Sequence, residues 1–257
     1  MPLVSEARLN LAQLIPHGYL VTRAWLLERN VSHHALDNLI KSGQVVALVP
    51  GVYQRPEADL TWQAVVASLH RMGSRLTVGG VTALEQQGLA HYLPLSGGGH
   101  VHLYGHEPMP TWINRLGLPQ TFVHHGLARL MSPEVESAEF TVELPMDGGR
   151  SVLASSLERA ILEALDGVPD ALSFEHAEEL MQGLANLSPR RLDALLRATS
   201  SVKVKRLFFW LAERQRYAWF AKLAPQSYDL GHGKRVLARG GKLDKTYLIT
   251  VPEQMHG

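Results

Sequence analysis

The opening 55 residues constrain the fold more tightly than any later stretch, because three helix signals and one hairpin signal follow one another with almost nothing between them. Leu9, Leu11, Leu14 and Ile15 recur at helical spacing until Pro16-His17-Gly18 ends the run. Thr22 then stands where a capping hydroxyl belongs, ahead of Ala24-Trp25-Leu26-Leu27-Glu28, and Arg29-Asn30-Val31 reads as a tight turn before a second cap, Ser32. The third helix runs to about Ser42. It places Ala35, Leu36, Leu39 and Ile40 on one face and His33, His34, Asp37, Asn38 and Lys41 on the other, and Gly43 stops it. Val45 to Val49 and Val52-Tyr53-Gln54 flank Pro50-Gly51, which reads as a small hairpin. Short helices closed by a hairpin in this order predict a winged helix-turn-helix over residues 1–56, with its third helix shaped to lie in a groove.

A chain of 257 residues with 46% hydrophobic and 19% charged content can bury one large core or two smaller ones. No apolar run reaches the roughly 18–20 residues that span a bilayer. The start MPLVSEARLN lacks the basic-then-apolar signature of a secretory signal, so the expected location is the cytoplasm. With no cysteine, thiol nucleophiles, disulfides and Cys-ligated metals are excluded for this chain. The net charge of +1 hides two poles: residues 134–179 hold twelve acids against two arginines, and residues 190–245 hold fourteen Lys and Arg against four acids. Such a basic segment can attract phosphates, or it can be a solvated face that complements the acidic one.

Glu57-Ala58-Asp59 reads as a linker into a second part, residues 57–257, of mixed α/β character with a helical C-terminal portion. A helix is expected from Thr61 to Met72 and another from Gly79-Gly80-Val81-Thr82-Ala83-Leu84 to Gly88, then strands at 100–104, 121–125 and 138–144. Leu157, Ile161, Leu162 and Leu165 start a helical series that continues through Ser173 to Gly183 and through the Ser188-Pro189 cap to Thr199, ending in a long helix from Val202 to Leu223. Val236-Leu237 and Tyr247 to Val251 suggest two late strands. The fold class expected is α+β.

Catalytic signatures are missing. Gly73-Ser74 lacks a following Asp-x-Asp to hold metals, no Glu-x-Lys occurs for a nuclease, and no Gly-x-Ser-x-Gly for a serine hydrolase. Gly79-Gly80 and Gly97-Gly98-Gly99 lack the spaced Gly and Lys of a phosphate cradle and read as turns. His100 and His102 would share a strand face, with His106, His124, His125 and Glu107 as further conceivable ligands, so a His-ligated metal enzyme stands as an alternative while no metal or cofactor is expected. The run Val202-Lys203-Val204-Lys205-Arg206-Leu207-Phe208-Phe209-Trp210 mixes cations with aromatics, as nucleic-acid surfaces do, and equally fits a core face (Val204, Leu207, Phe208, Leu211) flanked by Lys203, Lys205 and Arg206. The same two readings hold for Lys234, Arg235, Arg239, Lys242 and Lys245.

Taken together, Leu36 to Tyr53 with its Pro50-Gly51-Val52-Tyr53, the Gly79 to Leu84 stretch, Val202 to Phe208, and Asp229-Leu230-Gly231 through Gly240-Gly241-Lys242-Leu243-Asp244-Lys245 resemble the AbiEi family over nearly the whole chain. These are antitoxins and transcriptional regulators of bacterial abortive-infection AbiE toxin–antitoxin operons. The resemblance implies a winged helix that binds repeats in its own promoter and represses the operon, and a C-terminal antitoxin domain that counteracts a nucleotidyltransferase toxin without a stable complex. A monomer in solution that forms a dimer on DNA repeats is the expected state. Relatives place several arginines in the third helix and wing, whereas this chain offers His33, His34, Asn38, Lys41 and Arg55, and residues 1–56 carry only five cations against three acids. Asn38, His33 and His34, on the helix opened by Ser32, are expected to face base edges, with Lys41, Arg55, Thr22 and Arg23 on phosphates. A protein-docking role for the winged helix, with Lys203, Lys205, Arg206, Lys234, Arg235, Lys242 and Lys245 gripping an acidic or toxin surface, is the other alternative.

Overall fold

A three-stranded sheet, two of whose strands are covered on both faces, organises the first part of the chain. The computed structural model describes residues 11–89, 99–146 and 150–255. The expected helix position Leu9 and the turn glycines Gly97 and Gly98 lie outside these residues. A helical segment α1 (residues 11–14) leads into β1 (Leu20–Thr22), α2 (Arg23–Glu28), α3 (His33–Lys41), and the hairpin β2 (Val46–Val49) and β3 (Val52–Gln54). Thr22 Oγ1 accepts the amide of Trp25 and Ser32 Oγ that of Ala35, so both expected caps satisfy first-turn amides that have no partner within their helices. Gly43 supplies the left-handed φ of 68° that lets the chain leave α3.

Nothing in the sequence pattern announces β1, which is only three residues long and exists because it pairs antiparallel with β3. The resulting order is β1-β3-β2. Strand alternation then separates two cores. Val21 and Tyr53 turn inward onto Leu11, Ile15, Trp25, Leu26, Leu36 and Val45, while Leu20 and Val52 join the main core of the molecule with α4 (Trp62–Arg71). The Leu20 amide donates to buried Ser68 Oγ on α4 at 2.8 Å, and Arg150 Nη1 donates to the Gly18 carbonyl at 3.0 Å. The helix-turn-helix is thereby seated on the rest of the chain.

The second part is built on a five-stranded mixed sheet, order β6-β5-β4-β8-β7, comprising β4 (Thr77–Val78), β5 (His100–Gly105), β6 (Thr121–Gly126), β7 (Thr141–Met146) and β8 (Arg150–Ser155). β5 and β6 run parallel, and β7 and β8 form an antiparallel pair. Helix α5 (Gly80–Leu84) lies between β4 and β5 in the chain; helices α6 (Leu157–Asp166), α7 (Phe174–Gln182), α8 (Pro189–Ala198) and α9 (Val202–Gln215) follow β8, then a small sheet of β9 (Arg235–Val236), β10 (Lys242–Asp244) and β11 (Ile249–Val251) in the order β10-β11-β9. Under α5 lies a fully buried ion pair: Arg159 Nε donates to Glu163 Oε1 at 2.7 Å, and the Gly80 amide donates to Glu163 Oε2 at 2.9 Å. This explains Gly79-Gly80. A Cβ on Gly79 would sit 2.3 Å from Glu163 Oε2, and Gly80 has a φ of +53°.

Three expected boundaries move. The helix from Val202 stops at Gln215, where Arg216 takes a left-handed φ of 53°, rather than reaching Leu223. The stretch 138–144 begins as a 3-10 turn, Ala138–Phe140, with the strand starting only at Thr141. The helix over 79–88 is regular only to Leu84 and opens into a π-type turn, Glu85–Leu89, because Gly88 at φ 93° breaks it. Replacing Ser68 by Ala leaves the Leu20 amide buried without an acceptor, and should lower unfolding free energy by about 1–3 kcal/mol in urea titration.

Candidate nucleic-acid interface

Helix α3 divides cleanly into a buried and an open side. Leu36 is buried in the small core with Leu39 and Ile40 packed against it, while Ser32, His33, His34, Asp37, Asn38 and Lys41 are exposed. One turn of helix brings Asn38 Nδ2 within 3.2 Å of His34 Nε2, so when that nitrogen is unprotonated the pair is already oriented and Asn38 Oδ1 is left open. The helix-turn-helix loop supports this surface from behind: Asn30 in the turn takes φ 64°, a conformation asparagine tolerates better than most residues.

Thr22 and Arg23 sit at the hairpin turn. Thr22 pairs with Val52, and the Arg23 amide donates to the Gly51 carbonyl at 2.8 Å. The Arg23 guanidinium donates to the Tyr53 hydroxyl through Nε at 3.1 Å and Nη2 at 2.8 Å, which holds it in place beside the turn. Arg55 lies elsewhere. It follows Gln54, which pairs with Leu20 at the far end of the sheet, and it lines a hollow with Ser42, Gly43 and Gln44 just past the end of α3. The expected cations therefore form two groups, Thr22 with Arg23 by the wing turn and Lys41 with Arg55 by the end of α3. Arg29 was not in the expected set, yet its guanidinium stacks over the Trp25 ring at 3.7 Å, on the exposed side of α2. The i, i+4 spacing of Trp25 and Arg29 is the sequence signal for that pairing.

The basic stretch of the second part is not one open face. Lys205 and Arg206 are 5% and 1% exposed, so these two residues cannot serve as surface cations. Arg206 instead donates to three carbonyls, Leu230 at 2.6 Å, Gly233 at 2.7 Å and Leu248 at 3.2 Å, and so ties α9 to the C-terminal sheet. Burial pushes the Lys205 amine below its ordinary pKa, against the pull of Asp229. Lys203 donates to the Val168 carbonyl at 3.0 Å and also to that of Asp166. Lys242 pairs with Glu253 at 2.8 Å, leaving Lys234, Arg235, Arg239 and Lys245 as exposed cations around the small sheet.

The histidines divide as well. His100, His102 and His125 share one face of β5 and β6, with His102 Nδ1 and His125 Nε2 2.8 Å apart. His106 is 3.0 Å from Glu136, and Glu107 accepts from Ser74 and from the Arg75 amide. Among the described residues, no three His, Asp or Glu side chains converge in a metal-ligand arrangement.

With this geometry in place, two family models account for the chain. Residues 6–95 match the AbiEi antitoxin N-terminal domain of transcriptional regulators, and residues 99–252 match the AbiEi antitoxin of type IV toxin–antitoxin systems. The chain belongs to the AbiEi antitoxin family. AbiEi proteins of this kind are type IV antitoxin transcriptional regulators. The AbiEi chain is also similar to the crystal structure of the RV2827C protein from Mycobacterium tuberculosis, at 15% identity and a TM-score of 0.54 over 95% of this chain and 89% of that one, a likeness of fold. No curated protein shows significant similarity to it. No helix among the described residues is long and apolar enough to cross a membrane.

Because Arg206 acts inside the fold, Arg206→Met should remove roughly 1–3 kcal/mol of stability by stranding the part-buried carbonyls it holds. In protein still folded at low temperature, DNA affinity should stay unchanged; calorimetric unfolding and a mobility shift on the same preparation check both halves.

Proposed function

We propose that this AbiEi chain is a cytoplasmic autorepressor of its own operon, and that it counteracts a nucleotidyltransferase toxin encoded with it. Residues 1–56 act as the DNA-binding module and residues 57–257 as the antitoxin domain. The observation that carries the DNA-binding half is the split of α3: its apolar side is consumed by the small core, while its polar side is unobstructed and its caps hold it rigid. A helix of that shape fits the major groove. Asn38, oriented by His34, is suited to reading an adenine edge, and His33 at the start of the helix faces the neighbouring bases. Lys41 with Arg55 at one end, and Thr22 with Arg23 by the wing turn, are spaced to hold backbone phosphates on either side.

With so few cations the phosphate contribution is modest, so a single module binds weakly and two copies on repeated sites supply the affinity. The exposed Lys234, Arg235 and Lys245 belong to the antitoxin half, where they are placed to meet an acidic surface, and that half acts on the toxin without a lasting complex.

Asn38→Ala should weaken binding to the chain's own upstream DNA by about 1–3 kcal/mol while leaving scrambled DNA unaffected. Lys41→Ala should weaken binding to both DNAs alike and reduce the slope of affinity against salt by about one unit. Fluorescence anisotropy at several salt concentrations separates the two, and a pair of variants that bind like the parent would remove α3 from the interface.

A further inference from the structure

A cavity of about 520 Å³ opens between the β5–β6 face of the main sheet and the helices above it, a size that suits a small ligand. Its floor is aromatic. Tyr104, His125, His102 and His100 make a ladder of rings with successive centroid separations of 4.5, 5.0 and 6.1 Å and interplanar angles of 13°, 33° and 24°. His100, His102 and His125 line the cavity beside Val123, and Val81 and Leu172 supply apolar surface to the same space. Glu85, at the head of the π-type turn, is the one carboxyl among the described lining residues.

Charge decides what such a space can hold. Burial, with His125 and then His100 nearby, pushes the His102 imidazole down to about 4, and burial beside His124 lowers His125 as well. Burial raises the Glu85 carboxyl, opposed by His176. Near neutrality the two inner imidazoles are therefore uncharged, which disfavours an anion, and no metal-ligand triad is present among the described residues. The 2.8 Å contact between His102 Nδ1 and His125 Nε2 occupies one nitrogen of each ring. The other nitrogens, one a donor and one an acceptor, are left to meet a ligand.

We infer that this cavity binds a planar, uncharged heteroaromatic ring with both donors and acceptors on its edge, of nucleobase type, stacked on the histidine ladder. The inference does not rest on α3 contacting DNA. The ring can come from a free nucleoside or from an unpaired base of a nucleic-acid strand, and the same experiment distinguishes them.

The full-length protein with ¹³C-labelled histidine is titrated with adenosine, guanosine and cytidine, with a short single-stranded oligonucleotide, and with inorganic phosphate. Saturable shifts of the His102 and His125 ring signals with at least one nucleoside or with the oligonucleotide, without movement of His70, which is held between the Leu76 carbonyl and the Leu153 amide away from the cavity, are expected. Response to the free nucleosides identifies a small-molecule source, and response to the oligonucleotide alone identifies a strand. Val123→Trp, which fills the space from a half-buried position, should weaken binding at least about tenfold, within the range one stacking contact supplies. His125→Phe, which keeps a ring and loses its nitrogens, should weaken it as well; an unmoved signal from the part-buried His70 confirms that the main body of each variant is folded. No saturable shift with any base at millimolar concentration, an equal response to phosphate, or undiminished binding by both variants would overturn the inference.

Discussion

The pairing of β1 with β3 is the contact on which the rest of the arrangement depends. Two strands of three residues each could not stand alone in water. They persist because both faces are covered, Val21 and Tyr53 by the small core and Leu20 and Val52 by α4. One strand pair thus closes the helix-turn-helix and also fastens it to the main body, with the Leu20 amide satisfied by Ser68 at the joint. Because the inner sides of α2 and α3 and both faces of the sheet are committed, the polar side of α3 is the surface left over. Its availability follows from the packing of everything behind it.

The main body solves a different problem, which is how to keep an ion pair in a dry interior. Arg159 and Glu163 are both fully buried, and removing either partner would strand the other without water. The site compensates by adding backbone partners, the Gly80 amide on one oxygen of Glu163 and the Val135 carbonyl on Arg159 Nη1. That requirement brings the α5 backbone so close that a side chain at position 79 has no room. The glycine pair opens helix α5, with Gly79 as its extended cap, so it is a packing feature where the sequence suggests a turn.

Features encoded over a few residues were legible in the sequence. The caps Thr22, Ser32 and Ser188, the stop at Gly43 and the hairpin around Pro50-Gly51 each depend on neighbours within one turn, and each stands where the local pattern puts it. What the pattern hid depends on partners far along the chain. β1 and β4 are too short to show alternation and are strands only by virtue of β3, β5 and β8. Arg206 looks like a surface cation until the carbonyls of Leu230, Gly233 and Leu248, all distant in sequence, close around it. Arg55 and the pair Thr22 and Arg23 all read as phosphate contacts, and only the antiparallel pairing shows that they lie at opposite ends of the sheet. The histidine ladder was visible as a two-residue spacing on β5; the parallel register that brings His125 alongside was not.

The central claim is that the open side of α3 reads a specific DNA sequence, and the most direct measurement is a mobility shift of the purified full-length chain on its own upstream DNA, with scrambled DNA as competitor at two salt concentrations. The account predicts a shift that scrambled DNA does not compete away at equal concentration and that weakens only moderately as salt rises, since few phosphates are neutralised. A shift abolished equally by either competitor, or no shift at all, would contradict it and make the winged helix a protein-docking unit.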